Sequence, residues 1–419
     1  MYDPKICVGN IIPNLELPDF QNIGVQEVLL NKKMLLAFDT GTGKTFTYSL
    51  IVRALLNRNP EKKHIFVIIH DSLEQAPRDI GNLIAAPVLT CAASSSDYSK
   101  LVRGWAVASV IVLTYECFRD ERFVLFLFER LTEIESFVVD EAHHIANWDD
   151  SNTALMIRAF MQYVPYVVGL SATPMTSHVT QFYQLLNSID RSLSSRRNEE
   201  NIGKYEDRYL PVNRSDYDIK GKYTVTLELV TPHMHQVGEI HGVVSRVVKG
   251  TGAENQANAL IKLTQERLQQ GKTVIIYVYY HDSRQWIEGF LEKVGISFVS
   301  LHGKILDQKE RKNILDKFNS HEVNVLVTSV SESLNIDSDV VIFYEFTTKL
   351  KQVMGRAHRG LMGKELELVF ILTKDTEEIS YFMKYIYERS LTMQKILRKD
   401  YSEFLAVGEA LKQLDYDGS

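Results

Sequence analysis

The sequence predicts an α/β chain of two domains, each a mainly parallel sheet flanked by helices, and three observations predict it. From Lys33 onward, short β-rich runs alternate with longer helical stretches, the order that builds parallel strands joined by crossover helices. The alternation occurs twice, on either side of a polar stretch, Asp190 to Asp218, that lacks apolar periodicity. A length of 419 residues leaves room for two ordinary cores.

The strand candidates of the first half are Met34 to Phe38, Ile65 to Ile69, Val110 to Leu113, Phe137 to Val139 and Tyr166 to Leu170. Each is largely apolar through its length, as strands buried on both faces are. Those of the second half are Val274 to Tyr279, Ser297 to Ser300, Val323 to Val327, Val340 to Tyr344 and Leu366 to Leu372. Lys222 to Val230 alternates like a further strand, Glu254 to Gln270 has the apolar spacing of a helix, and Glu377 to Leu414 reads as one or two closing helices. The expected division is a first domain at 1–189, an interdomain linker or insertion at 190–253, and a second domain at 254–419. No repeat at residue level relates the halves.

Composition bounds the function. Hydrophobic residues make up 45% and charged residues 24%, an ordinary globular balance. Apolar runs such as Ile65 to Ile69 are far too short to span a bilayer, and Met1 to Gly9 lacks the apolar core of a signal peptide, so the expected location is the cytoplasm. Cys7, Cys91 and Cys117 show neither metal-ligand spacing nor a disulfide framework and read as core. With a net charge of −6, any contact with nucleic acid has to come from a local groove rather than a basic surface.

The chemistry begins at Phe38-Asp39-Thr40-Gly41-Thr42-Gly43-Lys44-Thr45, between a predicted strand and a predicted helix. Glycines there let backbone N–H groups approach phosphate oxygens, Lys44 brings charge to the outer phosphates, and the Thr45 hydroxyl can ligate Mg2+. Phe38 departs from the general pattern, which has glycine at that position. After the strand Phe137-Val138-Val139 come Asp140-Glu141-Ala142-His143, carboxylates at the edge where parallel sheets bind ligands. Asp140 is expected to hold Mg2+ and Glu141 to orient or activate the attacking water. Adjacent His143 and His144 make a poor zinc site. His143 is expected instead to bond across to Ser171-Ala172-Thr173-Pro174, whose Ser171 and Thr173 hydroxyls can relay the state of the acidic box.

In order and spacing, GTGKT at Gly41 to Thr45, DEAH at Asp140 to His143 and SATP at Ser171 to Pro174 resemble superfamily 2 helicases and translocases, whose two RecA-like domains bind ATP in the cleft between them. Leu301-His302-Gly303, Thr328-Ser329 with Glu332 to Ile336, and Gln352 to Arg359 complete the resemblance in the second half. It implies that Arg356 and Arg359 reach the ATP phosphates with Gln352 beside them. A permanently charged planar guanidinium suits that task, being able to stabilise charge on a transferring phosphoryl group. The resemblance also puts an adenine-reading glutamine near Gln26, with Gln21 competing for the role. Further implied are contacts to nucleic acid from Ser72, Thr114 and Tyr115 in the first domain, and from His302, Lys304 and Thr328 in the second. Ser333 and Asn335 depart from the family's common glycine and aspartate.

Residues 208–236 are similar to the interdomain segment of Swi/Snf-type translocases, which favours DNA as the track. The expected activity is an ATP- and Mg2+-dependent DNA helicase or translocase, acting on duplex, forked or single-stranded DNA and favoured as a monomer. The minimal two-domain layout is also that of small phage-encoded helicases. An RNA helicase stands as one alternative. The other is an ATP-switched binding subunit with protein partners in restriction, recombination or replication.

Overall fold

The structure, a computed structural model, describes residues 18–73, 76–146, 151–175, 179–193, 205–213, 223–231, 251–303, 305, 307–330, 336–346, 350–357 and 365–414. The chain divides into two compact units, Met1–Asn213 and Arg214–Ser419, and each is built on its own sheet.

The first sheet holds β1 (Lys33–Phe38), β2 (Lys63–Ile68), β3 (Val88–Cys91), β4 (Val110–Thr114), β5 (Ile134–Val139), β6 (Tyr166–Leu170) and β7 (Tyr209–Val212). Their order is β3-β4-β2-β5-β6-β1-β7, and every pair runs parallel. The central strands are buried almost throughout, which is why they read as unbroken apolar runs. The two strands absent from the sequence reading, β3 and β7, are the edges. Pro211 fits in β7 because an edge strand leaves one side unpaired, so the missing N–H costs no ladder bond. At Gly169 in β6 an added Cβ would lie 2.7 Å from Ile189 Cδ1 and 3.3 Å from Ala142 Cβ. Glycine there lets the helix Val179–Ile189 press onto the sheet directly beneath the acidic turn.

The second sheet holds β8 (Tyr223–Val230), β9 (Val274–Tyr277), β10 (Val299–Leu301), β11 (Val325–Thr328), β12 (Val340–Phe343) and β13 (Leu366–Thr373). Their order is β10-β11-β9-β12-β13-β8, again all parallel. β8 pairs with β13 along its whole length, from Tyr223↔Leu366 to Val230↔Thr373. Within 190–253, β7 joins the first sheet and β8 the second, and the two units divide between Asn213 and Arg214.

Alternation sorts the second core onto two faces. Val274, Ile276, Val325, Val327, Val340 and Ile342 pack against the helices Thr251–Gln269 and His281–Lys293. On the other face Phe370 meets Phe343 at 4.9 Å, Phe382 at 6.0 Å and Phe404 at 6.2 Å between ring centroids. Those contacts seat the closing helices: Glu377–Tyr381 passes into a π-helical Phe382–Tyr387, then Glu388–Leu397 and Ser402–Gln413 follow. The helix Leu350–Ala357 is tied to the last of them by the shielded ion pair of Lys351 and Glu403, 3.3 Å. In the first unit Cys91 and Cys117 are buried, and burial pushes their thiols up to about 12 and about 11, as core cysteines rather than reactive ones.

Candidate active site

Strands β5, β6 and β1 are adjacent, so the segments leaving their carboxyl ends stand side by side in the first unit. These are the acidic box after β5, the Ser171–Thr173 turn after β6, and the glycine loop after β1.

The loop opens helix α2 (Lys44–Arg58), with α1 (Asp19–Asn31) lying before β1. Gly41 and Gly43 both take φ +78°, a left-handed conformation that points successive N–H groups toward one concavity. Thr42 is buried, its hydroxyl donating to the Asp39 carbonyl at 2.7 Å, so this side chain holds the loop's shape from inside. Thr40 is half-buried. Lys44 Nζ makes a long 3.4 Å contact to the Phe38 carbonyl, a weak bond that an anion would replace. Half-buried Thr45 begins α2 beside it. Left-handed glycines, lysine, hydroxyl and the nearby carboxylates form a donor set that fits a nucleotide phosphate with Mg2+.

At the acidic box, Glu141 adopts φ 48° and ψ 48°, a left-handed backbone that a side-chain-bearing residue occupies at a cost of about 1 kcal/mol or more. Neighbours hold it there. Its N–H donates to Asp140 Oδ1 at 3.0 Å, and the Tyr115 hydroxyl donates to the Asp140 carbonyl at 2.6 Å, with the Glu141 carbonyl 3.3 Å away. Nδ1 of His143 stands 3.1 Å from Ser171 Oγ and 3.4 Å from Glu141 Oε2. Ser171 Oγ in turn accepts from the Thr173 N–H at 3.2 Å. The structure thus joins Glu141, His143, Ser171 and Thr173 in one buried chain of contacts.

Other residues singled out in the sequence fall differently. Gln26 is exposed on α1, whereas Gln21 is buried and donates to the Thr42 carbonyl at 3.1 Å; a Cβ on Gly43 would meet its Nε2 at 2.5 Å. The contact with the phosphate loop therefore belongs to Gln21. Helical spacing carried that signal, since Gln21 shares the stripe of Gly24, Val25 and Val28 while Gln26 lies off it. Thr114 and Thr328 were expected at the polymer, but both are fully buried: Thr114 Oγ1 lies 3.7 Å from Cys117 Sγ, and Thr328 Oγ1 accepts from the Val330 N–H at 3.0 Å. These hydroxyls fasten the turns that follow β4 and β11 and are enclosed within them. Tyr115 is turned inward as well, onto the acidic box, and burial first and then the charges of Asp140 and Glu141 keep its phenol neutral. Ser72, in the short helix His70–Ser72, and His302, just past β10, remain partly exposed. Gln352 and Arg356 fall on the helix Leu350–Ala357. Lys304, Ser333, Asn335 and Arg359 lie outside the described residues.

The DEAD/DEAH box helicase family model matches residues 19–182, and the helicase conserved C-terminal domain model matches residues 255–360. The ATP-dependent helicase Lhr-Core of Methanocaldococcus jannaschii is 20% identical over 389 residues, 85% of this chain and 42% of that protein. The ATP-dependent rRNA helicase RRP3 of Candida albicans is 32% identical over 206 residues, 45% of this chain and 37% of that protein. These matches span less than half the length of either relative. Among solved structures, S. cerevisiae Dbp5 bound to RNA and ADP BeF3 aligns with a TM-score of 0.59 at 15% identity, covering 99% of this chain and 97% of that one. The likeness agrees with two RecA-like α/β domains.

Proposed function

The two matched domains make this chain a member of helicase superfamily 2, and on that premise we propose that it is an ATP-dependent nucleic-acid helicase or translocase whose ATP site is built on Lys44, Thr45, Asp140 and Glu141. One observation carries the reading: phosphate loop, hydroxyl turn and acidic box stand on the adjacent strands β1, β6 and β5, with Glu141 wired to Ser171 through His143.

In this reading the loop N–H groups and Lys44 bind the phosphates, while Thr45 and Asp140 would hold Mg2+. When bound, the metal supplies positive charge against the phosphate oxygens. Glu141 orients the attacking water and takes its proton. The family resemblance assigns Arg356 and Arg359, with Gln352, to the transferring phosphoryl group. Through Ser171 and Thr173, His143 passes the state of the acidic box to the turn after β6.

Two tracks have separate support. The Swi/Snf-like 208–236 segment favours duplex or forked DNA, whereas RRP3, named as an rRNA helicase and 32% identical over its match, favours RNA. Steady-state ATP hydrolysis with no polymer, single-stranded DNA, duplex DNA, forked DNA and RNA, all at one salt concentration, distinguishes them. Stimulation by DNA forms above RNA supports the DNA track, and the reverse order supports the RNA track. Hydrolysis indifferent to every polymer would sink the motor reading.

A further inference from the structure

Six aromatic side chains follow the carboxyl edge of the second sheet and its closing helices, and nothing in the nucleotide chemistry uses them. At the end of β10, the His302 ring packs edge-on at 5.9 Å against His281, which opens the helix after β9. Tyr280 precedes it and meets Tyr279 at 4.8 Å. On the closing helices Tyr381 and Tyr385 lie 4.8 Å apart, tilted by 37°.

Buried carboxylates join the two halves of this row. Glu345 accepts from the N–H groups of Tyr279 and Tyr280 at 2.7 and 2.9 Å. Next to it, the Tyr344 carbonyl accepts from Gln256 Nε2 at 3.4 Å, and the same nitrogen reaches Glu378 at 3.3 Å, in the helix that carries Tyr381. Tyr280 and Tyr279 stand close enough to help burial raise the Tyr381 pKa.

The row is fixed from beneath and open above. Tyr279 and Tyr385 are 49% and 46% exposed, a large amount of flat ring to leave in water. Positive charge accompanies it: Lys384 Nζ lies 5.4 Å from the Tyr385 ring. Tyr385 also sits in the π-helical turn Phe382–Tyr387, a rare backbone form that recurs at functional sites. Both Tyr381 and Tyr385 fall beyond residues 255–360, the extent of the matched C-terminal domain.

We propose that this row is a stacking track for unpaired nucleotides, on which Tyr279 and Tyr385 each take a base of single-stranded DNA or RNA. The proposal rests on the nucleic-acid reading above and narrows it to strands with free bases. Every base offers a π-face, so such a track is sequence-tolerant, and the nearby Lys384 suits the phosphate chain.

The test uses the full chain and fluorescence anisotropy at one salt concentration, with short labelled oligothymidylate, oligouridylate and an abasic deoxyribose-phosphate strand of equal length. Tyr385→Ala and Tyr279→Ala are each expected to weaken binding of the base-bearing strands roughly 5- to 150-fold, the loss of one stacked base. Binding of the abasic strand is expected to stay as in wild type, and Tyr385→Phe and Tyr279→Phe to restore the loss. The two base-bearing strands separate DNA from RNA. Alanine variants that bind as wild type does, or that lose the abasic strand equally, overturn the track. If the variants lose self-association by sedimentation while strand binding holds, the row is a protein contact and the proposal falls. A wild-type chain whose hydrolysis responds to polymer while the variants bind normally loses the track alone; a chain that binds no strand and responds to none loses the reading beneath it.

Discussion

The carboxyl edges of the two sheets share one parallel architecture and carry opposite chemistry. In the first unit the edge is a polar network: left-handed glycines, Lys44, and a chain of contacts from Glu141 through His143 to Ser171. In the second, the polar groups are sunk below the surface as Glu345 and Glu378, and partly exposed aromatic rings lie along the edge. Parallel strands set where a ligand sits, while the turns at their ends set what it can be. The first edge has the donors and carboxylates for phosphoryl transfer; the second has flat surfaces suited to a neutral π-system.

The sharpest break in this comparison is removal of Glu141, the carboxylate proposed as the first edge's base. Glu141→Gln is expected to lower steady-state hydrolysis by about 10²- to 10⁴-fold while nucleotide binding, read by a fluorescent ATP analogue, persists. In the absence of polymer, Tyr279→Ala at the other edge is expected to leave hydrolysis at the wild-type rate. Normal turnover in Glu141→Gln would remove that residue from its role.

The second edge has its own signature, in stability against pH. Burial raises the Glu378 carboxyl to about 7, against the pull of its bonds with Thr373 and Gln256, and Glu345 next to it is raised in the same sense. Between the ordinary value of 4.5 and about 7 the folded state therefore holds more protons than the unfolded state. Stability is then greatest below the lower value and falls as pH rises through the window, by on the order of 3 kcal/mol from Glu378. Urea midpoints measured at about pH 5 and about pH 8 should show that decline. Glu378→Gln should flatten most of it, and a wild-type midpoint that rises with pH would contradict the assignment.

A smaller effect tests how rigid the first edge must be. Tyr115→Phe deletes the donor that holds the Asp140 carbonyl at 2.6 Å, beside the left-handed Glu141. The expected cost is about 1–2 kcal/mol of stability, with kcat reduced about tenfold and KM for ATP little changed, since binding groups stay in place. An unchanged kcat would mean that the acidic box keeps its geometry unaided.

The first edge was the more legible of the two in sequence, for physical reasons. Its strands are buried on both faces, so they stand out as apolar runs, and its motifs are contiguous because each lies in a single turn. The edge strands were harder. Four-residue β3 is only half buried, β7 contains Pro211, and β8 alternates in the sequence yet is partly exposed along most of its length, so its membership of a sheet depends on β13, far along the chain. Nothing local encodes the φ of Glu141 or the π-helical turn at Phe382–Tyr387, both of which are imposed by packing. The aromatic row was invisible for the same reason: the contact of His302 with His281, and the approach of Tyr279 and Tyr280 to Tyr381, come through the topology, not through spacing.

Gln21 and Gln26, the two glutamines that compete for one role in the sequence, differ in burial and in contact with the loop. The Gln21 amide donates to the Thr42 carbonyl from within the buried stripe of α1, and its Nε2 fills the space beside Gly43 that a side chain would need. A single neutral hydrogen bond contributes about 1 kcal/mol, which corresponds to roughly a fivefold change in an equilibrium. Gln21→Ala should therefore weaken binding of the fluorescent ATP analogue by about that factor, through a looser loop, with little effect on kcat. Gln26→Ala, altering an exposed side chain on the same helix, should change neither. If Gln26→Ala carries the loss and Gln21→Ala does not, the glutamine that matters reaches the nucleotide from outside the loop, and the first edge is completed by a residue this arrangement leaves in solvent.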